Sequence, residues 1–178
     1  MRILQPLLVC LVLAAFGCSD RTASTRVKDD PFLEAPAHLS YNIEVLFTDS
    51  SYTKAILTAG EARLYEDRQQ TTLSNGVSVD FLSRTGIGPA ARLTSDSALV
   101  DDRTRDMTAI GNVRVHSDSS ATTLTTKRLI WVNSTQKIRS DAYVRIVSPT
   151  ETIEGIGFES DQYLTAYRIF QVRGVHRP

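Results

Sequence analysis

The chain repeats itself. Leu57-Thr58, Leu93-Thr94 and Leu124-Thr125 each open a window of equal length, spanning 57–79, 93–115 and 124–146. Each window closes on a V-x-V or V-x-I pair: Val77/Val79, Val113/Val115 and Val144/Ile146. The windows align without gaps. Inside them Ala62/Leu64 stand over Ala98/Val100 and Leu129/Trp131, and the polar centres Glu66-Asp67, Asp102-Arg103 and Asn133-Ser134 coincide. A unit this short cannot bury an apolar face by itself, so the copies must stack on one another.

Each window is two alternating apolar runs around a polar turn, the pattern of a strand, a turn and a second strand. The second runs are the clearest: Leu73, Val77, Val79, Phe81; then Met107, Ala109, Gly111, Val113, Val115; then Ile138, Ala142, Val144, Ile146. After the first 17 residues no stretch shows a capped stripe of helical period, and Thr, Val and Ile are abundant. Turn compositions separate the copies at Ser83 to Pro89, Ser117 to Ser120 and Ser148-Pro149-Thr150. A degenerate fourth copy runs from Ile153 through Phe158, Tyr163, Ile169 and Val172, and Leu39 to Phe47 reads as a leading strand. The expected fold is all-β: an elongated, twisted antiparallel jelly-roll of repeated strand pairs, with two sheets around an apolar interior. Gly111 reads as a bend or bulge. Its equivalents Asn75 and Ala142 are not glycine, which speaks against an obligatory backbone conformation there.

The N-terminus has a different character. Arg2, an apolar run from Leu7 to Phe16, and then Gly17-Cys18 form the pattern of a bacterial lipoprotein signal, too short to span a bilayer. The expected organisation is a signal peptide over 1–17, a lipidated Cys18 with a polar tether over 18–36, and the β-domain over 37–178. Losing Cys10 with the signal leaves Cys18 as the sole cysteine, so no disulfide framework is possible and acylation gives that thiol a purpose. Several acyl chains, each contributing about 0.8 kcal/mol per buried CH₂, hold a protein on a membrane. Removing Arg2 leaves 19 basic residues (20 − 1) against 20 acidic ones, which argues against a nucleic-acid partner.

The ordered series Gly111-Asn112-Val113-x-Val115, Leu124-Thr125-x-x-x-Leu129-x-Trp131, Ile138-x-Ser140-Asp141-x-x-Val144-x-Ile146 and Ile153-x-Gly155-Ile156-Gly157-Phe158-Glu159-Ser160-Asp161 resembles the LptC family. The resemblance implies an LptA-like β-jelly-roll that accepts lipopolysaccharide from an inner-membrane ABC transporter complex and passes it to a soluble periplasmic LptA-like protein. It implies a lipid-binding lining at Leu73, Val77, Val79, Phe81, Met107, Ala109, Val113, Val115, Ile138, Ala142, Val144 and Ile146. Trp131, on the other strand of its pair, is expected in the core. The final strand has no successor, so its edge, with Tyr163, Tyr167, Ile169 and Gln171, is the expected partner edge. Relatives of this kind use an uncleaved transmembrane helix, so a lipid anchor at Cys18 is a departure. It places the domain on the periplasmic side of a cell membrane, the inner one in preference to the outer.

The implied work needs no enzyme. Moving an acyl chain from bilayer to groove exchanges one apolar environment for another, although exposing twelve carbons to water would cost roughly 10 kcal/mol. Nothing resembles a nucleotide-binding loop, so extraction must be powered elsewhere. His38, His116 and His176 lie too far apart in sequence to suggest a metal site, and no cofactor is expected. Asp101-Asp102 are adjacent in a turn, where solvation explains them better than acid–base chemistry, and no serine has a nucleophile context. The competing readings are a closed, structural envelope lipoprotein, a soluble LptA-like relay component, and an enzyme on a β-solenoid. The Gly17-Cys18 junction generates a first prediction: Cys18→Ala abolishes incorporation of a tagged fatty acid in cells. Equal label in parent and variant would remove the anchor.

Overall fold

The computed structural model describes residues 35–49, 52–83 and 88–177. The proposed signal, Cys18 and nearly all of the tether lie outside these. What is described is one antiparallel sheet of ten strands: β1 (His38–Asp49), β2 (Tyr52–Tyr65), β3 (Gln70–Leu82), β4 (Pro89–Ser95), β5 (Ser97–Asp101), β6 (Met107–Ser117), β7 (Thr122–Val132), β8 (Lys137–Val147), β9 (Thr152–Asp161) and β10 (Tyr167–His176). The three repeat windows become the pairs β2/β3, β4–β5/β6 and β7/β8. The degenerate fourth copy becomes β9/β10, and β1 is the leading strand.

Strand order follows the chain as a meander, and β4 and β5 act as one strand interrupted at Asp96: β4 lies between the C-terminal halves of β3 and β6, and β5 between their N-terminal halves. The sheet is therefore continuous, where two separate sheets were expected. It closes on itself because nearly every strand is broken near its middle. Register shifts fall between Ala59 and Glu61, Ile110 and Val113, Thr126 and Ile130, and Ser140 and Tyr143, one beside the next across the sheet. Bulges bend and twist the strands that carry them. Phe81, at the C-terminal end of β3, and Trp131, at the C-terminal end of β7, lie at opposite ends of the strand rows, yet their ring centroids are 5.6 Å apart. The sheet is folded along its line of bulges, and each strand contributes to both facing layers.

This geometry turns one apolar face inward. Ala91, Ala109, Val115, Leu124, Ile138, Val144, Ile146 and Phe158 are completely buried in one cluster that draws on both layers. The outward face is polar and laced across strands. Arg92 pairs with Asp80, Arg128 with Asp141 at 3.4 Å, Lys137 with Glu159 at 2.6 Å and Arg145 with Glu154 at 3.2 Å.

The bend demands a backbone that most residues avoid. At the Gly111 bulge two successive residues are left-handed, Gly111 at φ +78° and Asn112 at +44°, and the equivalent pair is Asn75 at +62° and Gly76 at +81°. The expectation that non-glycine equivalents argue against a required conformation is corrected: the conformation is shared, because asparagine also tolerates the left-handed region. Ala142 alone departs from it. Asp96 ties the β4–β5 junction to the neighbouring β6 at this point, its N–H donating to the Gly111 carbonyl at 3.0 Å and its Oδ2 accepting from Asn112 Nδ2 at 2.9 Å.

A Cβ added at Gly111 would collide with Asp96 Oδ2 as well as stand at a strained φ, whereas one at Gly174 meets nothing nearer than 4.0 Å. Gly111→Ala should lower unfolding stability by roughly 1–3 kcal/mol, and Gly174→Ala should stay within about 0.5 kcal/mol. Urea unfolding of both variants checks this, and equal losses would show that the bulge does not set the fold.

Candidate functional site

The predicted lining residues all lie on the inner face or at its bend. Leu73, Val77, Val79, Phe81, Met107, Ala109, Val113, Val115, Ile138, Val144 and Ile146 are between 0% and 7% exposed, and Ala142 is half-buried at the β8 bulge. Their chain neighbours Arg114 and Arg145 are exposed, as strand alternation requires. The interior is filled, however. A cavity of about 500 Å³ opens at one place, and of the predicted lining it touches Val79, Phe81 and Met107. The remainder of its apolar wall comes from Leu46 and Phe47 of β1, Ala55 and Leu57 of β2, Val100 of β5 and Trp131 of β7.

This mouth lies on the seam where the two layers meet. Trp131 is partly buried against the core and faces Phe81, so it is both a core residue, as expected, and part of the cavity wall. Lys54, Asp102, Arg105, Asn133, Gln136 and Gln162 form a polar rim. The sequence reading missed Leu46, Phe47 and Leu57 because it traced the lining along second strands only. Leu57, which opens the first repeat, was the available signal.

The proposed partner-edge residues separate into two places. Tyr167, Ile169 and Gln171 belong to β10, which pairs with β9 alone. The Tyr167 ring packs 6.4 Å from Phe158, burial raises its hydroxyl pKa, and Gln171 is exposed. Tyr163 lies in the turn before β10, and its hydroxyl donates to the Leu82 carbonyl of β3 at 3.2 Å. At the opposite edge β1 pairs with β2 alone and leaves Leu39, Tyr41, Val45, Leu46 and Phe47 exposed, Tyr41 by 64%. Both ends of the sheet thus carry an edge strand paired on one side only among the described residues.

The carboxylates near the mouth are engaged in local hydrogen bonds. Asp101 is held below its ordinary pKa of 3.8 mainly by the Thr104 N–H, with a further hydrogen bond from the Arg103 N–H. Asp102 accepts from the Thr71 hydroxyl at 3.0 Å, and Asp106 Oδ1 accepts from the Asn133 N–H at 2.9 Å. These carboxylates build turns around the mouth. His116 Nδ1 lies 2.9 Å from the Thr123 hydroxyl, and its Nε2 lies 3.3 Å from Asp118. Among the described residues no group of histidines, cysteines and carboxylates could hold a metal ion, and no helix is long and apolar enough to cross a membrane.

A family model described as "Lipopolysaccharide-assembly, LptC-related" matches residues 7–176. The chain belongs to the LptC family. Its repeats, glycine-bearing bends and packed inner face are thus the form this family's jelly-roll takes here. A similar solved structure is LptH of Pseudomonas aeruginosa, titled as the LptA-homologous periplasmic component of the conserved lipopolysaccharide transport device. The match has 13% identity and a TM-score of 0.51, covering 66% of this chain and 82% of that one. At that identity the likeness establishes a shared fold between the LptC-family chain and LptH. Comparison with curated protein sequences gives no significant match.

Two carboxylates with lowered pKa values set a pH dependence for this LptC-family domain. Asp101 and Glu159, the latter lowered chiefly by its hydrogen bond from Lys137, both have depressed folded-state pKa values. Their contribution is present above the unfolded carboxylate range and is lost as pH falls through the lowered values. Asp101→Asn keeps the turn's acceptor oxygen but removes one titration, so its melting temperature should fall less on acidification than the parent's. Parallel thermal melts from neutral to acid pH check this, and superimposable acid limbs would exclude Asp101 as a contributor.

Proposed function

We propose that this chain is a non-enzymatic carrier that accepts lipopolysaccharide from an inner-membrane ABC transporter complex and passes it to a soluble periplasmic LptA-like partner. The observation that carries this reading is the inner face, apolar along both layers, with a cavity at its seam and an edge strand paired on one side only at each end of the sheet. An acyl chain moving from a bilayer onto such a face loses little free energy, so the carrier needs a dry path more than tight binding. Unpaired backbone groups on β10, around Tyr167, Ile169 and Gln171, suit sheet continuation by a similarly folded protein. Tyr163 adds nothing to that edge directly, since its hydroxyl is engaged with β3. Acylation of Cys18 would hold the domain at the periplasmic surface of a membrane, the inner one on this reading.

The filled interior favours a second reading, a closed roll with a structural role in the envelope. Light-activated crosslinking separates the two. Photoreactive residues at Val113 and Val144 should capture lipopolysaccharide in cells, while those at Arg114 and Arg145 should not, because adjacent strand positions face opposite sides. Absence of capture at both valines would leave the closed structural roll, and equal capture at all four positions would void the face assignment.

A further inference from the structure

We infer that the seam cavity is the entry site for a single hydrocarbon chain, and that the turn between β9 and β10 is the clasp such a chain must release to reach the deeper interior. This rests on the carrier reading above and gives it a point of entry. Val113, Val115, Ile138, Val144 and Ile146 are at most 1% exposed, so no chain reaches them while the layers are shut. The cavity of about 500 Å³ is in the range of sites that enclose one small ligand, roughly 300–1,000 Å³. It is too small for the several chains of a multiply acylated lipid together. Its wall of Phe47, Leu57, Val79, Phe81 and Trp131 is apolar, and its polar rim leaves a headgroup outside.

The clasp adjoins that cavity through Gln162. Three contacts from the turn hold the layers together beside it. Tyr163 Oη donates to the Leu82 carbonyl at the end of β3, and the Tyr163 carbonyl accepts from Ser120 Oγ, in the turn between β6 and β7, at 3.4 Å. Leu164 is 1% exposed although it lies in a turn at φ +54°, so its side chain is set into the core from the rim. A leucine in that conformation stores strain that its burial must offset. The turn itself is anchored on Asp161, whose Oδ1 accepts from the N–H groups of Tyr163 at 2.8 Å and Thr165 at 3.1 Å. It can therefore move as a unit. Because β1 and β10 are not hydrogen-bonded to each other, no ladder needs to break when it lifts.

Tyr163→Phe removes one hydrogen bond and keeps the ring, and Leu164→Ala removes the plug. Two measurements on the whole chain test them. The first is amide hydrogen exchange without lipid: Tyr163→Phe should speed exchange about fivefold at Val79 to Leu82, while amides of the central β6–β7–β8 ladder such as Leu124 and Ile146 stay at the parent rate. Unchanged exchange at β3 in both variants, or an equal rise everywhere, would overturn the clasp. The second uses Trp131, the sole tryptophan of the chain, as a fluorescent reporter of sub-micellar dodecanoate, with hexanoate as the short-chain control. Dodecanoate should shift its emission in the parent, enter Tyr163→Phe about fivefold faster, and be displaced from neither protein by inorganic phosphate. Dodecanoate entering both proteins at one rate, while β3 exchange responds, would overturn the clasp as the route of entry. No shift with dodecanoate in any form would overturn the entry site. All these readouts are independent of lipopolysaccharide capture at Val113, so carriage itself stands or falls separately.

Discussion

A single meandering sheet of ten strands has two faces, and unless something covers the apolar one it cannot be stable in water. The covering here is the sheet itself. Everything else depends on the mid-strand bulges that allow a strand to enter one layer and leave in the other, which at Asn75-Gly76 and Gly111-Asn112 carry two successive left-handed residues. Bending each strand individually lets the ladder resume in register on both sides of the fold line, although it is interrupted at each bulge. At the bend the Asp96 N–H to Gly111 carbonyl bond fills the place where β4 gives way to β5.

Much of this was legible before any coordinates. Strand pairs, their turns and the inward parity of Val113, Val115, Val144 and Ile146 follow from a side-chain period of two. Closure was not legible, because periodicity reports which side of a strand is apolar and carries no information on what covers it. The two-sheet expectation failed for the same reason: a bulge of one residue barely disturbs a sequence pattern, yet it decides whether a strand serves one layer or both. The bend signal at Gly111 was visible but undervalued, since glycine and asparagine exchange places between the first two repeats while keeping one backbone conformation.

The candidate site divides in the same way. Parity found the inner-face residues, but which of them meet open space depends on how the layers diverge at the seam, a property of twist and of contacts distant in sequence. Phe81 with Trp131, and Tyr163 with Leu82, are such contacts. Leu164 was invisible for a different reason: a leucine in a polar turn reads as incidental until its side chain is seen to point into the core.

The outer face carries a further consequence. Four of its cations pair with carboxylates on neighbouring strands, Arg92 with Asp80, Arg128 with Asp141, Lys137 with Glu159 and Arg145 with Glu154. Such exposed pairs add little to stability, but charges neutralised within a few ångströms project almost no field beyond a Debye length. Where the surface is paired in this way, it neither attracts an anionic bilayer nor repels it. Encounters with a partner would then proceed at the unsteered diffusional rate and vary little with ionic strength, leaving the choice of partner to the shape and hydrogen bonding of the edge strands.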